Sequence, residues 1–379
     1  MRKLIALLFI AGISIPSAFS QPETNNQPPT NERKIQMAIL FDASGSMNGL
    51  LSQAKARMWS IVNELTALRY EDVVPTVEIA LYSYGYDGHP GSEYFTKQLV
   101  PLTTDLDLIS EKLFSITTNG GSEYCGGVIK KSLDDLAWST EKLDLKMIYI
   151  AGNEPFNQGP IDYKTVCKSA CEREIFINTI HCGPYEVGVK HFWFDGAQIG
   201  CGDYFHIDAD KSIQHITTPY DSLINVYNDS LNTTYIEYGS DGKMLKERQA
   251  KQDVNAQIMS PSSKAERSIA KSKANYTNTS WDIVDAEKDE DFKIEDIKEE
   301  QLPEILKGKT TEEKKKIIGE KSAERDEYQK KIAQLGKDRL LFIEEEKTKL
   351  GDEGASDFGT SVSESIEKKS TKIGYKKQK

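Results

Sequence analysis

IQMAILFDASGSMN, residues 35–48, is an apolar run that stops at Asp42-Ala43-Ser44-Gly45-Ser46. A run of this length and apolarity, closed by a polar turn, predicts a buried parallel strand. Asp42, Ser44 and Ser46 alternate along the turn, so their side chains can converge beyond the strand's carboxyl end, where open α/β sheets bind ligands. One carboxylate and two hydroxyls are hard oxygen donors, the chemistry Mg²⁺ prefers. A turn that only caps the next helix is the alternative; the full D-x-S-x-S spacing directly after a strand favours the metal.

The stretch resembles the first metal motif of the von Willebrand factor type A (VWA) domain, which carries a metal-ion-dependent adhesion site. The resemblance implies an α/β fold with a doubly wound, mostly parallel sheet and helices on both faces. It also implies that the two serines coordinate a divalent cation directly and that the aspartate acts through water. A free position on the metal then accepts an acidic group from a partner. The implied cofactor is Mg²⁺, or Mn²⁺ or Ca²⁺ in its place.

Two later stretches bear on that expectation. TTNGGSEYCGG, residues 117–127, lies where VWA domains place a Gly-Gly-Thr loop. Gly120-Gly121-Ser122 fits that frame with Ser122 for the threonine, but Glu123-Tyr124-Cys125 intervenes before the next glycine. Glu123 adds a carboxylate to the set, and Thr118 is a second candidate for the threonine's part. The apolar run KMIYIA, residues 146–151, reads as a central strand followed by GNEPFNQGP. The family strand ends in an aspartate with a glycine after it, whereas Gly152, Asn153 and Glu154 occupy that junction here. The third motif is therefore not matched. Asn153 through its amide oxygen or Glu154 through its carboxylate would substitute, and a weakened site is the alternative. These loops, with the C-terminal half, resemble a narrower group of exported bacterial VWA-domain proteins.

The chain has 379 residues, enough for one domain of about 200 residues and a second region. Hydrophobic content of 38%, charged content of 28% and a net charge of −11 describe a soluble acidic chain with no basic face for nucleic acid. Arg2 and Lys3 precede the apolar run Leu4 to Ile15, and Ala18-Phe19-Ser20 follows as a small-x-small cleavage site. This predicts a signal peptide over 1–20, a periplasmic or extracellular destination and no membrane span after signal removal. Residues 21–33, rich in Pro, Asn and Gln, read as a linker, and 34–238 as the VWA domain.

An exported chain permits disulfides, and five cysteines leave at least one thiol unpaired. Cys125 and Cys182 both lie at or just after carboxyl ends of strands, which makes them candidates for a bridge, with free buried thiols as the alternative. Phe192, Trp193 and Phe194 are expected in the core. Residues 239–300 read as a polar, irregular linker and 301–379 as a charged helical region. That region is expected to be a solvated hairpin or arm, the alternative being an oligomerising coiled coil, which Gly308, Gly319 and Gly336 weaken. Lys368 to Lys379 reads as a solvated basic tail.

The expected function is binding rather than catalysis: metal-dependent recognition of a carboxylate on a protein partner, in an oligomeric state the sequence leaves open. Two alternatives remain, a scaffold whose metal site has decayed and a hydrolase using Glu123 and Glu154 as a carboxylate pair. The chain contains no G-x-S-x-G, H-E-x-x-H or P-loop.

Overall fold

The computed structural model describes residues 33–207, 216–350 and 358–377. The signal peptide and almost all of the 21–33 linker expected from the sequence lie outside these residues. Six strands form one sheet in the order β4-β3-β1-β5-β6-β7. They are β1 (Lys34–Asp42), β3 (Thr76–Tyr84), β4 (Thr96–Thr103), β5 (Leu145–Gly152), β6 (Ile175–Cys182) and β7 (Cys201–Ile207). All neighbours are parallel except β3 and β4, which run antiparallel at one edge. The chain builds outward from β1 first on one side and then on the other. That reversal leaves a crevice at the carboxyl ends of β1 and β5, where Phe41 pairs with Ala151.

Side-chain alternation along β1 separates two cores. Ile35, Met37 and Phe41 face α1 (Asn48–Thr66) and α2 (Leu106–Ser115), while Ala38 and Leu40 face α3 (Cys125–Asp135) and α4 (Tyr163–Glu172). Two short helices, α5 (Tyr185–Lys190) and α6 (Trp193–Ile199), follow β6. Trp193 is buried as expected, but Phe192 and Phe194 are exposed, because they point away from the sheet on either side of it.

The described part of 301–379 is helical as expected, but the segment before it is not irregular and the helices are not solvated. After α7 (Asp221–Asn232), the supposed irregular linker contains α8 (Gly242–Met259), α9 (Pro261–Lys271) and the short α10 (Ile283–Ala286). Ser260 caps α9, its hydroxyl accepting from the Ser263 N–H at 2.9 Å, with Pro261 at the first helical position. These helices are polar in sequence because they bury charge. Arg267 lies fully buried over the Trp59 ring at 4.6 Å and donates to Asp107 of α2 at 2.6 Å, to Asp253 and to the Gln249 carbonyl. Lys271, also buried, reaches Asp253 and Asn232.

The long helix α11 (Thr311–Leu350) is no solvated arm. Ile318, Arg325, Ile332 and Arg339, spaced by seven, form a buried seam against the rest of the chain. Arg325 pairs with Asp282 and Asp285 at 2.6 and 2.9 Å and stacks on Tyr235, and Arg339 pairs with Asp221 at 2.7 Å. The supposed basic tail also docks. Helix α12 (Phe358–Lys372) packs on α1, Tyr375 is buried, and β8 (Lys376–Lys377) pairs with β2 (Leu68–Arg69). Among the described residues no helix is long and apolar enough to cross a membrane.

The cysteine expectation is corrected. The disulfide joins Cys171 at the end of α4 to Cys201 at the start of β7, and neither Cys125 nor Cys182 takes part in it. Cys125 is drawn into the core at the start of α3, where its sulfur meets the Tyr84 hydroxyl at 3.7 Å.

Candidate metal centre

Strand β1 ends at Asp42, and a single 3₁₀ turn (Gly45–Met47) leads into α1, whose N-terminus opens onto the crevice. Three backbone contacts fasten the loops around it. The Ala43 N–H donates to Tyr84 O at 2.7 Å, the Asn119 N–H to Ala43 O at 2.8 Å, and the Gly45 N–H to Gly120 O at 3.4 Å. An isolated bridge between Gly85 and Ser122 adds a fourth tie, from the end of β3 to the loop before α3.

Asp42 is almost completely buried. Its Oδ1 accepts from the Ser44 N–H at 2.8 Å, but its Oδ2 is buried without a hydrogen-bond partner. Glu123 is buried beside it, with Oε2 likewise unpartnered. Burial pushes the Asp42 carboxyl up to about 8, the neighbouring Glu123 adding to the effect. Burial also raises Glu123 to about 7, against the pull of a hydrogen bond from Ser44, with Glu154 contributing repulsion. The Ser44 and Ser46 hydroxyls lie 3.1 Å apart, and the Asn153 Nδ2 donates to Ser46 Oγ at 2.9 Å while its Oδ1 is unpartnered.

Of the residues singled out in the sequence, Asp42, Ser44, Ser46, Glu123 and Asn153 converge on this crevice. Ser122 is held through its backbone bridge to Gly85, and it is the next side chain, Glu123, that turns in against Asp42. Glu154 is exposed at the rim, close enough to influence both buried carboxylates, and its carbonyl accepts from the Trp193 indole at 2.8 Å.

Two residues of the site escaped the sequence reading. Gly85, at φ +74°, sits between the carboxylates; a Cβ there would lie 2.8 Å from Asp42 Oδ1 and 2.9 Å from Glu123 Cγ. Tyr84 is fully buried, and its hydroxyl donates to the Ala151 carbonyl at 2.9 Å. A Cβ on Gly152 would come within 2.6 Å of that hydroxyl and 3.1 Å of Asp42 Oδ2. The aspartate expected at the end of β5 therefore has no room, because the tyrosine already occupies its place. The signal was available in the Tyr84-Gly85 pair closing the VEIALYSY strand, but nothing local marks a tyrosine as filling a gap on a neighbouring strand.

The donor set suits a hard divalent cation. Two buried carboxylate oxygens and an amide oxygen lack partners, two hydroxyls are adjacent, and a buried unpaired carboxylate is costly unless a cation neutralises it. Among the described residues no group of three or more His, Cys, Asp or Glu side chains converges, so the hydroxyls are essential to the set.

No family model matches the chain, and no curated protein matches it. Solved structures do, at probability 1.00. The conserved hypothetical protein BatB from Bacteroides thetaiotaomicron is 16% identical, with 46% of this chain and 90% of that one covered, at a TM-score of 0.35. The SpRpn10 VWA domain is 18% identical, with 47% and 90% covered and a TM-score of 0.35. Proximal thread matrix protein 1 of the mussel byssus, with a zinc-occupied MIDAS motif, is 15% identical, with 48% and 43% covered and a TM-score of 0.37. The fold is VWA-like. Each match spans less than half of this chain at low identity and bears on the fold alone.

Proposed function

We propose that this chain is an exported, non-enzymatic binding protein that holds a divalent cation at the carboxyl end of β1 and presents it to an acidic group of a protein partner. The observation that carries this reading is the pair of buried, unpartnered carboxylate oxygens of Asp42 and Glu123 beside the Ser44 and Ser46 hydroxyls. Asp42, Ser44, Ser46, Glu123 and Asn153 would hold the ion, the last after a half-turn of its amide brings Oδ1 to where Nδ2 now points. When bound, the cation supplies positive charge and an open coordination position for an external carboxylate. The chain's own part is to keep the carboxylates in place: Gly85 admits both, Tyr84 fills the space a third would take, and α1 directs its positive end at the crevice. Glu154 at the rim repels anions that do not reach the ion.

Calorimetric titration of Mg²⁺, Mn²⁺ and Ca²⁺ into metal-free protein tests this. Binding at one site is expected, with at least a ten-fold loss of affinity in Glu123→Gln and no measurable binding in Asp42→Ala. Absence of binding by the unaltered chain would leave the scaffold with a decayed site as the better reading.

A further inference from the structure

A second cleft lies at the β7 edge of the sheet, between α5, α6, β7 and α12. Its volume of about 310 Å³ lies within the range of small-molecule sites, roughly 300–1,000 Å³. Three aromatic rings form one wall. Tyr185 and Phe194 flank Tyr204 with centroids 5.2 and 5.9 Å away and planes inclined at 59° and 84°. The Tyr204 hydroxyl donates to the Tyr185 carbonyl at 2.9 Å, which fixes the arrangement. Tyr185 is 43% and Phe194 38% exposed, a large aromatic area left facing water.

The polar lining carries both signs of charge. Asp203 is bridged by Lys368 at the cleft and by Lys369 behind it at 3.3 Å. The side chains of Gln198 and Glu364 line the same cleft and make no hydrogen bond or ion pair with any described residue. Within the lining, Lys368 is matched to Asp203, and Glu364 is left as the one unpaired charge. What remains is a wall of mutually inclined aromatic rings beside an uncommitted amide, an uncommitted carboxylate and an ammonium group.

We propose that this cleft is a carbohydrate site that takes a neutral pyranose unit of a glycan. A pyranose has an apolar face of axial C–H bonds to lie on Tyr185 and Phe194, and an equatorial rim of hydroxyls that both donate and accept. Gln198 can do both in return, Glu364 accepts, and Lys368 donates. A quaternary ammonium would also find an unpaired carboxylate in Glu364, but it could not use the donors and acceptors of Gln198 and Lys368, which a sugar's hydroxyls engage. The site shares no residue with the metal centre and is independent of it.

The test is saturation-transfer NMR on the 379-residue chain with glucose, N-acetylglucosamine and their β-1,4-linked tetrasaccharides, and choline as a cationic comparison. Transfer to the sugar ring protons is expected for at least one of the four sugars. Affinity should fall at least ten-fold in Tyr185→Ala and in Phe194→Ala, and about three-fold in Gln198→Ala. Val226→Ala, an exposed position on α7, should leave it unchanged, and thermal melts of all four variants establish that they fold. Lack of transfer to every sugar, undiminished binding in both aromatic variants, or binding of choline in place of sugar would each overturn the proposal.

Discussion

Two of the sets of buried carboxylates among the described residues are treated in opposite ways. Asp107 and Asp253, between the sheet domain and the C-terminal helices, meet the buried Arg267 and Lys271. Burial alone would raise the Asp253 carboxyl, yet Lys271 and Arg267 hold it well below the usual range. Asp42 and Glu123, at the carboxyl end of the sheet, meet no cation of the protein, and burial raises them to about 8 and about 7. In the first set the chain supplies the counter-charges itself; in the second, on the function proposed above, a cation from outside would supply them.

The largest effect should come from breaking the satisfied set. Arg267→Ala leaves Asp107 and Asp253 facing each other's environment with only Lys271 between them, and should destabilise the fold by ~3–5 kcal/mol in denaturant unfolding. The same operation on the unsatisfied set should have the opposite sign. Asp42→Asn keeps an acceptor for the Ser44 N–H and removes a buried unpaired charge, so it should stabilise the metal-free protein by ~1–3 kcal/mol at pH 8. Destabilisation by this variant would show that Asp42 already has a counter-charge.

A smaller effect is the pH dependence of stability. Asp42 and Glu123 bind protons more tightly folded than unfolded, so unfolding releases them and stability falls as pH rises through about 7 and 8. Asp253 acts in the other sense, its contribution being present above the ordinary carboxyl value of about 3.9 and lost only as pH falls below it. His89 and His181, lowered by burial, also oppose, but only below about 6.5. Lys271 and Lys273, lowered by burial to about 8, oppose the trend from the alkaline side, so the melting temperature of the metal-free protein should decline by a few degrees between pH 6.5 and 7.5, and saturating Mg²⁺ should flatten the decline.

The same contrast explains what the sequence made legible. The Asp42-Ala-Ser-Gly-Ser turn announces itself because strand and ligands are contiguous, and the alternation of strands and helices that follows carries the doubly wound sheet. Glu123 was visible as an intruder in a glycine-rich loop. The role of Tyr84 was not, because its effect on Gly152 passes between strands that are distant in sequence. The C-terminal half was misread for a related reason. A helix with Arg325 and Arg339 in register with Ile318 and Ile332 has a seam in which half of the residues are charged. Their partners Asp282, Asp285, Asp221 and Glu266 lie on other elements, so a charge count alone assigns that face to solvent. The disulfide follows the same pattern, since Cys171 and Cys201 are brought together only by the packing of α4 against the sheet edge.

The central claim is that Asp42 and Glu123 are protonated when alone and ionised when they hold a metal. Titrating Mg²⁺ calorimetrically at pH 6.5 in two buffers of different ionisation enthalpy measures the protons exchanged on binding. The release of about one to two protons per ion is expected, falling by about one in Glu123→Gln. Binding with no proton released would contradict the account, because it would mean that the two carboxylates were charged before the ion arrived or took no part in holding it.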